Sequence, residues 1–315
     1  MASFDFKNDM IFFNYDFNEE LNPNYIKFIS KFNSLYFSDY TDISLSIETN
    51  NEPIHMSNPK YIFSHIGSKF NKPIDGLLLD GLDKIHFGCC FNQTVNSLPN
   101  SLTELIFGQN FNQPINNLPI KLFKLELGKF FNNPIDNLPI SLRVLKFDDS
   151  SKFNHPLDNL PNGIKLLKIG YEFNNPIDNL PNTLIAIEII GKFNKSLNNL
   201  PDSIEMLHLD VKINDKIVKL PQKLDYIYFA LIFNNPNQIN FPSNIKTIKF
   251  HPYCQYDKPI KNLPNSIEKI YFPKSYSKLF NIKCKNLIHL ELDKNYKFLN
   301  KLNKIYSDSI IHFIN

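Results

Sequence analysis

A motif of about 20 residues recurs along most of this chain, and its period limits the fold more than any other feature. Phe111–Phe131 contains one copy, which reads Phe-Asn-x-Pro-Ile-x-Asn-Leu-Pro and then Leu-x-x-Leu-x-Leu-Gly. The first apolar residue of each Leu-x-x-Leu-x-Leu segment falls at 82, 102, 122, 142, 164, 184, 204, 224, 245, 267 and 287. A fixed period of 20 to 22 residues is typical of a solenoid, in which each repeat forms one coil. The sequence therefore predicts about eleven coils.

Each Leu-x-x-Leu-x-Leu segment has the alternation of a short β-strand with one buried face. In one coil the pattern places Leu102, Leu105 and Phe107 in the core, and Glu104 and Ile106 in solvent. Strands that stack coil on coil form one parallel sheet, which we expect on the concave face of the solenoid.

The rest of each coil is predicted to be irregular. Pro114 and Pro119, with their equivalents in other coils, leave segments too short for a regular helix, so we expect turns, 3₁₀ pieces and extended backbone. Glycines mark the strand exits, where we expect a positive φ. These glycines are Gly88, Gly108, Gly128, Gly170 and Gly191.

The Phe-Asn pair that opens the motif is the most regular polar feature of the chain. The asparagines are Asn71, Asn92, Asn112, Asn132, Asn154, Asn174, Asn194, Asn214 and Asn234. Because each lies between Phe and a Pro-Ile pair, we expect buried amides that must find hydrogen-bond partners in their own and the next coil. The pattern predicts a structural asparagine ladder rather than a ligand site.

The run FNxPIxNLPxSLxxLxFG resembles the FNIP repeat, a member of the leucine-rich-repeat group. The resemblance covers about two thirds of the chain. It implies a solenoid of leucine-rich-repeat type, mainly β with few helices, with a parallel sheet on the concave face and an irregular convex face. It also implies an amoebal or giant-virus source, and some family members carry an N-terminal F-box.

The two ends of the chain do not follow the period, and we expect them to cap the solenoid. Residues 1–49 are predicted to form an N-terminal cap with a helix that starts at Asn22 and Pro23 and a strand over Ile43, Leu45 and Ile47. Residues 50–292 form the solenoid and include a degenerate coil near Asn51–Ile54. Residues 293–315 form a C-terminal cap.

Composition excludes several classes of function. The formal net charge of +3 is too small to indicate nucleic-acid binding. The four cysteines have no framework spacing, and the adjacent Cys89 and Cys90 are expected to be reduced structural thiols that do not pair with each other. The start of the chain lacks a signal peptide pattern, and no apolar window is long enough to span a bilayer. We expect a cytoplasmic protein, in the host cytoplasm if the source is viral.

No group of residues predicts catalysis, a metal or a cofactor. His86, His208 and His289 point to the sheet face, but they belong to coils one, seven and eleven, too far apart for one metal ion. Cys89 and Cys90 follow His86 closely, yet nothing in the pattern supplies a cleft or a third catalytic group. We therefore expect a protein that is not an enzyme.

The outward positions of the strands vary most from coil to coil, and this variation indicates function. Charges dominate the first coils, whereas the middle coils carry an apolar, tyrosine-rich set with His208 beside it. The set is Val144, Leu166, Ala186, Met206, Tyr226, Tyr228 and Tyr271. An exposed apolar patch with tyrosines is typical of a protein-binding surface, although strand propensity alone could also place these residues there.

The function predicted from these observations is non-catalytic binding of a protein partner through the concave sheet face. One alternative is a substrate receptor of a ubiquitin ligase, in which residues 1–49 recruit a ligase component, although F-box helices are not recognisable there. RNA binding along Lys146, Lys168, Lys249 and Lys269 is a weaker alternative, because glutamates are interleaved with these lysines. The sequence predicts no oligomeric state.

Overall fold

The structure, a computed structural model, describes residues 4–7, 10–13, 16–37, 68–212, 219–233, 239–261, 263–280, 282–307 and 310–314. The chain divides into two compact units, Met1–Gly170 and Tyr171–Asn315. The predicted strand over Ile43–Ile47, the degenerate coil near Asn51, and the ladder positions Asn214 and Asn234 lie outside the described residues.

The described residues of the first unit form eight strands. They are β1 (Phe4–Lys7), β2 (Met10–Phe13), β3 (Ser34–Tyr36), β4 (Lys84–His86), β5 (Glu104–Ile106), β6 (Lys124–Leu127), β7 (Val144–Phe147) and β8 (Leu166–Ile169). β1 pairs with β2 in antiparallel orientation, and from β2 onward each strand runs parallel to the next. The helix α1 (Pro23–Ile29) lies between β2 and β3.

In the second unit, the part that the structure describes forms seven strands in the same pattern. They are β9 (Ala186–Gly191), β10 (Met206–Val211), β11 (Tyr226–Phe229), β12 (Thr247–Phe250), β13 (Lys269–Tyr271), β14 (His289–Leu292) and β15 (Ile311–Phe313). Each strand of this unit is parallel to the next. A single helical turn, α2 (Leu299–Leu302), precedes β15, so the pattern of strand and turn continues after the last predicted repeat.

The core of both units is formed by the inward residues of the strands. The central inward residue of each strand from β4 to β14 is fully buried. These residues are Ile85, Leu105, Leu125, Leu145 and Leu167 in the first unit, and Ile187, Leu207, Ile227, Ile248, Ile270 and Leu290 in the second. The described backbone between the strands of the repeats is made of turns and extended segments. The predicted solenoid of leucine-rich-repeat type is therefore confirmed.

The phenylalanines of the repeated motif form a column of stacked rings inside the first unit. The ring of Phe111 lies 6.1 Å from the rings of Phe91 and Phe131, with interplanar angles of 7° and 4°. A second phenylalanine, Phe107, follows β5 directly and stacks on Phe111 at 3.6 Å. Phe173 and Phe193 repeat the arrangement in the second unit, 6.2 Å apart. The column joins neighbouring coils through direct aromatic contact.

The helix predicted from Asn22 and Pro23 is present. The side chain of Asn22 accepts hydrogen bonds from the backbone N–H groups of Asn24 and Tyr25 at 3.0 and 3.2 Å, and Pro23 is the first helical residue. Such a cap satisfies N–H groups that have no partner within the helix. The local sequence alone determines where this helix begins.

The predicted reason for the strand-exit glycines is wrong at four of the five positions, because only Gly191 has a positive φ. At Gly108 an added Cβ would lie 2.2 Å from the carbonyl oxygen of Gly88, and at Gly128 it would lie 2.0 Å from that of Gly108. Gly88 and Gly170 are confined in the same way. These glycines are required by the close approach of the neighbouring coil rather than by backbone conformation.

The expectation that alternate strand residues are exposed to solvent is also wrong at several positions. Ile106 is on the outer face of the sheet, yet it is only 5% exposed. The register places it directly between His86 and Glu126 on the adjacent strands. Because parallel strands lie only about 4.8 Å apart, long neighbouring side chains cover an outward residue.

We expect the phenylalanine column to dominate the stability of the first unit. Replacing Phe111 with Ala should lower the free energy of unfolding by about 3–5 kcal/mol, since it removes a fully buried ring that contacts three others. Phe123→Ala is the matched control, because Phe123 is 52% exposed. Urea denaturation of the two variants tests this, and equal losses would contradict it.

Candidate functional site

The outer face of the sheet in the second unit brings most of the predicted binding residues together. Met206 on β10 lies beside Tyr226 on β11, and His208 lies beside Tyr228. All four side chains are partly exposed. The rings of His208 and Tyr228 meet edge to face with centroids 4.6 Å apart. Two adjacent strands thus present a thioether and three rings to solvent.

Lys249 and Tyr271 extend this surface onto the next two strands. Lys249 on β12 lies between Tyr228 on β11 and Tyr271 on β13. Its Nζ atom is 5.8 Å from the ring centroid of Tyr228 and 5.4 Å from that of Tyr271, within range of a cation–π interaction with either ring. Burial raises the pKa of Tyr228 to about 12, so its hydroxyl stays protonated and can donate a hydrogen bond near neutral pH.

The start of the second unit does not add exposed apolar surface. Ala186 lies beside Met206 in the sheet, and its single methyl group is only 2% exposed. Next to it, Glu188 is buried, and its carboxylate lies 3.2 Å from Nδ1 of His208. This pair holds the imidazole in place beside Tyr228 rather than leaving it free for a partner.

The two predicted residues in the first unit differ from each other in exposure. Val144 on β7 is partly exposed, whereas Leu166 on β8 is buried at 6% exposure. Leu166 therefore offers no apolar surface. The binding residues that remain accessible in the second unit are Met206, Tyr226, Tyr228 and Tyr271, with Lys249, which the sequence did not indicate as part of the patch.

The outer face of the first unit carries a charged network instead. Nε2 of His86 lies 2.6 Å from Oε1 of Glu104, and Nζ of Lys124 approaches the same oxygen at 3.4 Å. Tyr36 covers the imidazole edge to face at 4.4 Å. Burial lowers the pKa of His86, against the opposing effect of its hydrogen bond to Glu104, and the carboxylate accepts from Nε2 of the imidazole. Burial raises the pKa of Glu104, but the hydrogen bond with His86 and the charges of Lys124 and Lys84 outweigh burial and lower the pKa to about 2.

Glu126 extends this network on the next strand. Its Oε1 atom lies 3.2 Å from Nζ of Lys124 and 3.7 Å from Nζ of Lys146. Burial raises the pKa of Glu126, but the charges of the two lysines outweigh it and lower the pKa overall. The other carboxylate oxygen of Glu126, Oε2, is buried without a hydrogen-bond partner in the described part of the chain. Within the described residues no three His, Cys, Asp or Glu side chains are placed to hold a metal ion.

The most exposed hydrophobic side chains of the first unit lie just before the strands rather than on the sheet. Ile120 and Ile140 occupy equivalent positions after the Leu-Pro step of successive coils, and they are 72% and 85% exposed. Phe123, immediately before β6, is 52% exposed. The sequence pattern did not predict this exposed edge, although the repeat alignment places polar residues such as Asn100 and Asn162 at the same coil position.

The asparagines of the repeated motif form hydrogen bonds from coil to coil. The amide oxygens of Asn71, Asn92, Asn112, Asn132 and Asn174 accept from the backbone N–H groups of Asn92, Asn112, Asn132, Asn154 and Asn194, respectively, at 2.9 or 3.0 Å. Each bond joins one coil to the next, and the repeated geometry accounts for the repeated residue.

These asparagines are exposed or partly exposed and not buried, contrary to the expectation from sequence. Only the phenylalanine of each Phe-Asn pair points into the core. The residue after the Asn supplies a second donor to the amide oxygen of the preceding coil, which the sequence pattern did not predict. Gln93, Gln113 and Asn133 donate their side-chain N–H groups to Asn71, Asn92 and Asn112 at 3.0, 3.2 and 2.9 Å.

The ladder begins in the N-terminal block. The amide oxygen of Asn18 accepts from the backbone N–H of Asn71 at 3.0 Å, and the ring of Phe17 stacks on that of Phe70 at 5.6 Å. Phe17-Asn18 is therefore a Phe-Asn pair like those of the repeats. The pair is visible in the sequence, but it lies 53 residues before the next described Phe-Asn pair and does not follow the period of about 20 residues.

The fold and the ladder define the class of this protein, a leucine-rich-repeat-type solenoid. The family described as FNIP Repeat matches residues 91–130 and 153–192. Two stretches of the chain therefore match the FNIP repeat, as the motif predicted.

Two solved structures share the fold. CroV588, a circular LRR protein from a giant virus, is 21% identical with a TM-score of 0.61, over 98% of this chain and 54% of that one. The chain thus spans about half the length of CroV588. An internalin, InlF from Listeria monocytogenes, is 15% identical with a TM-score of 0.60, over 98% and 87% of the two chains. No curated protein matches the chain in sequence. Neither described helix has the length and apolar character needed to cross a membrane.

Because the asparagine ladder is exposed, we expect only a moderate loss of stability when one of its asparagines is replaced. Asn132→Ala removes the acceptor of the backbone N–H of Asn154, and Asn174→Ala removes the acceptor of the backbone N–H of Asn194. Each substitution should lower the free energy of unfolding by about 1 kcal/mol. Asn117→Ala is the control, since this exposed side chain makes no hydrogen bond within the described part of the chain. Equal urea midpoints for all three variants would contradict the prediction.

The charged network should make the stability of the protein dependent on pH. The pKa of Glu104 falls from about 4.3 in an unfolded chain to about 2 in the folded protein. Its contribution is therefore fully present above about pH 4.3 and is lost as the pH falls toward 2. His86, with a lowered pKa, acts in the same direction below about pH 6.5.

Urea unfolding at a series of pH values between neutral and acid tests this dependence. Glu104→Gln should be less stable than the parent at neutral pH, and its stability should decrease less on acidification. Glu205→Gln, which changes an exposed carboxylate, should follow the parent. A Glu104→Gln variant with the same pH dependence as the parent would show that this carboxylate is not the source.

Proposed function

We propose that this protein is a non-catalytic scaffold that binds a protein partner through the outer face of the sheet in its second unit. One observation carries the proposal. Met206, Tyr226, Tyr228 and Tyr271 share this face on neighbouring strands in register, partly exposed, with Lys249 between two of the rings. A repeat solenoid of this type is a common protein-interaction scaffold, which supports the same conclusion.

The chemistry of this face favours a protein over a small molecule. Tyrosine buries a large area at low cost in side-chain entropy, and both its ring and its hydroxyl can contact a partner. Methionine adapts to irregular apolar surfaces. The residues form a broad strip across strands rather than a deep cavity, and their rigid backbone is held by parallel pairing on both sides.

We also propose that residues 1–49 cover the first repeated coil and that residues 293–315 close the other end. Phe17 and Asn18 contribute a ring and an acceptor to the column and the ladder. Near the C-terminus, the hydroxyl of Tyr306 accepts from the backbone N–H of Cys284 at 2.9 Å and donates to the carbonyl of Ile282 at 2.5 Å. Such contacts satisfy polar groups that another coil would otherwise satisfy.

The binding surface is tested with four forms of the protein used as bait in cell extract. Tyr226→Ala/Tyr228→Ala should lose at least ten-fold of the capture of the main partner. Tyr253→Ala, which removes a 65% exposed ring from the turn after β12, should capture it normally. Melting temperatures of both variants should stay close to that of the parent, since none of the three tyrosines lies in the core.

The fourth form separates this surface from the exposed edge of the first unit. Ile120→Ser/Ile140→Ser should retain the partner. Loss of capture in this variant, with normal capture by Tyr226→Ala/Tyr228→Ala, would move the binding surface to that edge. Capture that disappears after nuclease treatment and falls steeply with salt would instead indicate the RNA alternative.

A further inference from the structure

Two adjacent cysteines lie where the chain leaves β4 in the first unit. The sulfur atoms of Cys89 and Cys90 are 3.4 Å apart, and both side chains are partly exposed and free of disulfides. The other two cysteines, Cys254 and Cys284, are buried. Neither the proposed binding face nor the ladder makes use of the adjacent pair, so the two thiols are available for chemistry of their own.

The peptide unit between the two cysteines is held by the coils on either side. The carbonyl of Cys89 accepts from the backbone N–H of Asn110 at 3.0 Å, and the N–H of Cys90 donates to the carbonyl of Ser68 at 3.3 Å. Gly88 allows this approach, because a Cβ there would lie 2.2 Å from the Cβ of Ser68. The backbone therefore holds the two thiols side by side in a defined position.

This arrangement does not suit a disulfide between the two residues. A disulfide needs sulfur atoms about 2.05 Å apart and Cα atoms usually more than about 4.4 Å apart, whereas adjacent Cα atoms are about 3.8 Å apart. Closing the bond would twist the peptide unit that Asn110 and Ser68 hold. Burial and the contact with Cys89 also raise the pKa of the Cys90 thiol, which reduces the thiolate available to an oxidant.

We propose that Cys89 and Cys90 form a dithiol site for trivalent organic arsenic compounds. An arsenic oxide R–As=O condenses with the two thiols, so that two As–S bonds form while the two S–H bonds and the As=O bond break. The oxygen leaves as water with both protons, and arsenic stays trivalent, so no oxidant or reductant is needed.

The two sulfur atoms satisfy the needs of this ligand and not those of a typical metal ion. Structural zinc takes four protein ligands, whereas arsenic with one organic group needs only two. A bridging arsenic atom also leaves the sulfur atoms farther apart than an S–S bond does, so the held peptide unit can keep its hydrogen bonds. The two thiols therefore suit a soft electrophile that bonds to both sulfur atoms at once.

Phenylarsine oxide added to the folded full-length protein, followed by intact-mass spectrometry, tests the proposal. The parent should gain one phenylarsenic group less two hydrogens. Cys89→Ser and Cys90→Ser should each bind at least ten-fold less, because one thiol cannot bridge. Cys254→Ser/Cys284→Ser should bind like the parent. A small dithiol in excess should release the adduct, whereas the same excess of a monothiol should not.

Three outcomes would overturn the proposal. One is an adduct that persists in either single serine variant, and another is an adduct lost from Cys254→Ser/Cys284→Ser. The third is a parent protein that takes up no arsenic while maleimide titration in urea finds all four thiols free. Melting temperatures of Cys90→Ser and Cys90→Ala, compared with the parent, check that loss of binding does not come from unfolding.

Discussion

Contact between successive coils is the interaction on which the rest of this structure depends. One coil contains a strand of only three to six residues, and prolines interrupt much of the remaining backbone. A single coil cannot bury its apolar side chains or satisfy its backbone N–H and C=O groups by itself. The neighbouring coil supplies strand pairing, aromatic contact and side-chain acceptors together. Stability is therefore a property of the stack within each unit.

Two neighbouring residues of the motif serve this contact in opposite ways. Phe111 points inward and stacks on the phenylalanines of the coils before and after it. Asn112 stays at the surface, where its amide oxygen accepts from the backbone of the next coil. The buried ring supplies most of the stabilisation through apolar area. The exposed amide adds less, since water competes for its hydrogen bond.

The repeated core leaves the outer face of the sheet free to differ between the two units. In the first unit, His86, Glu104 and Glu126 belong to a network of ion pairs between neighbouring strands. In the second unit, Tyr228 and Lys249 belong to a strip of rings and flexible side chains whose hydroxyl and ammonium groups can still meet a partner. The same backbone thus carries two surfaces of different chemistry. This contrast favours the second unit as the binding surface.

The sequence by itself determined the coil, its period and the inward strand residues, because these follow from alternation and from proline positions within about 20 residues. It also determined where α1 begins, because Asn22 caps the helix and Pro23 is its first residue. Only the tertiary structure decided which outward residues are covered, as at Ile106, and why Gly108 must be glycine. It alone showed that Phe17 and Asn18 act as a repeat pair. The reason is that burial and close approach depend on side chains of adjacent coils. These coils lie about 4.8 Å apart in space, but their residues are distant along the chain and so are absent from the local sequence pattern.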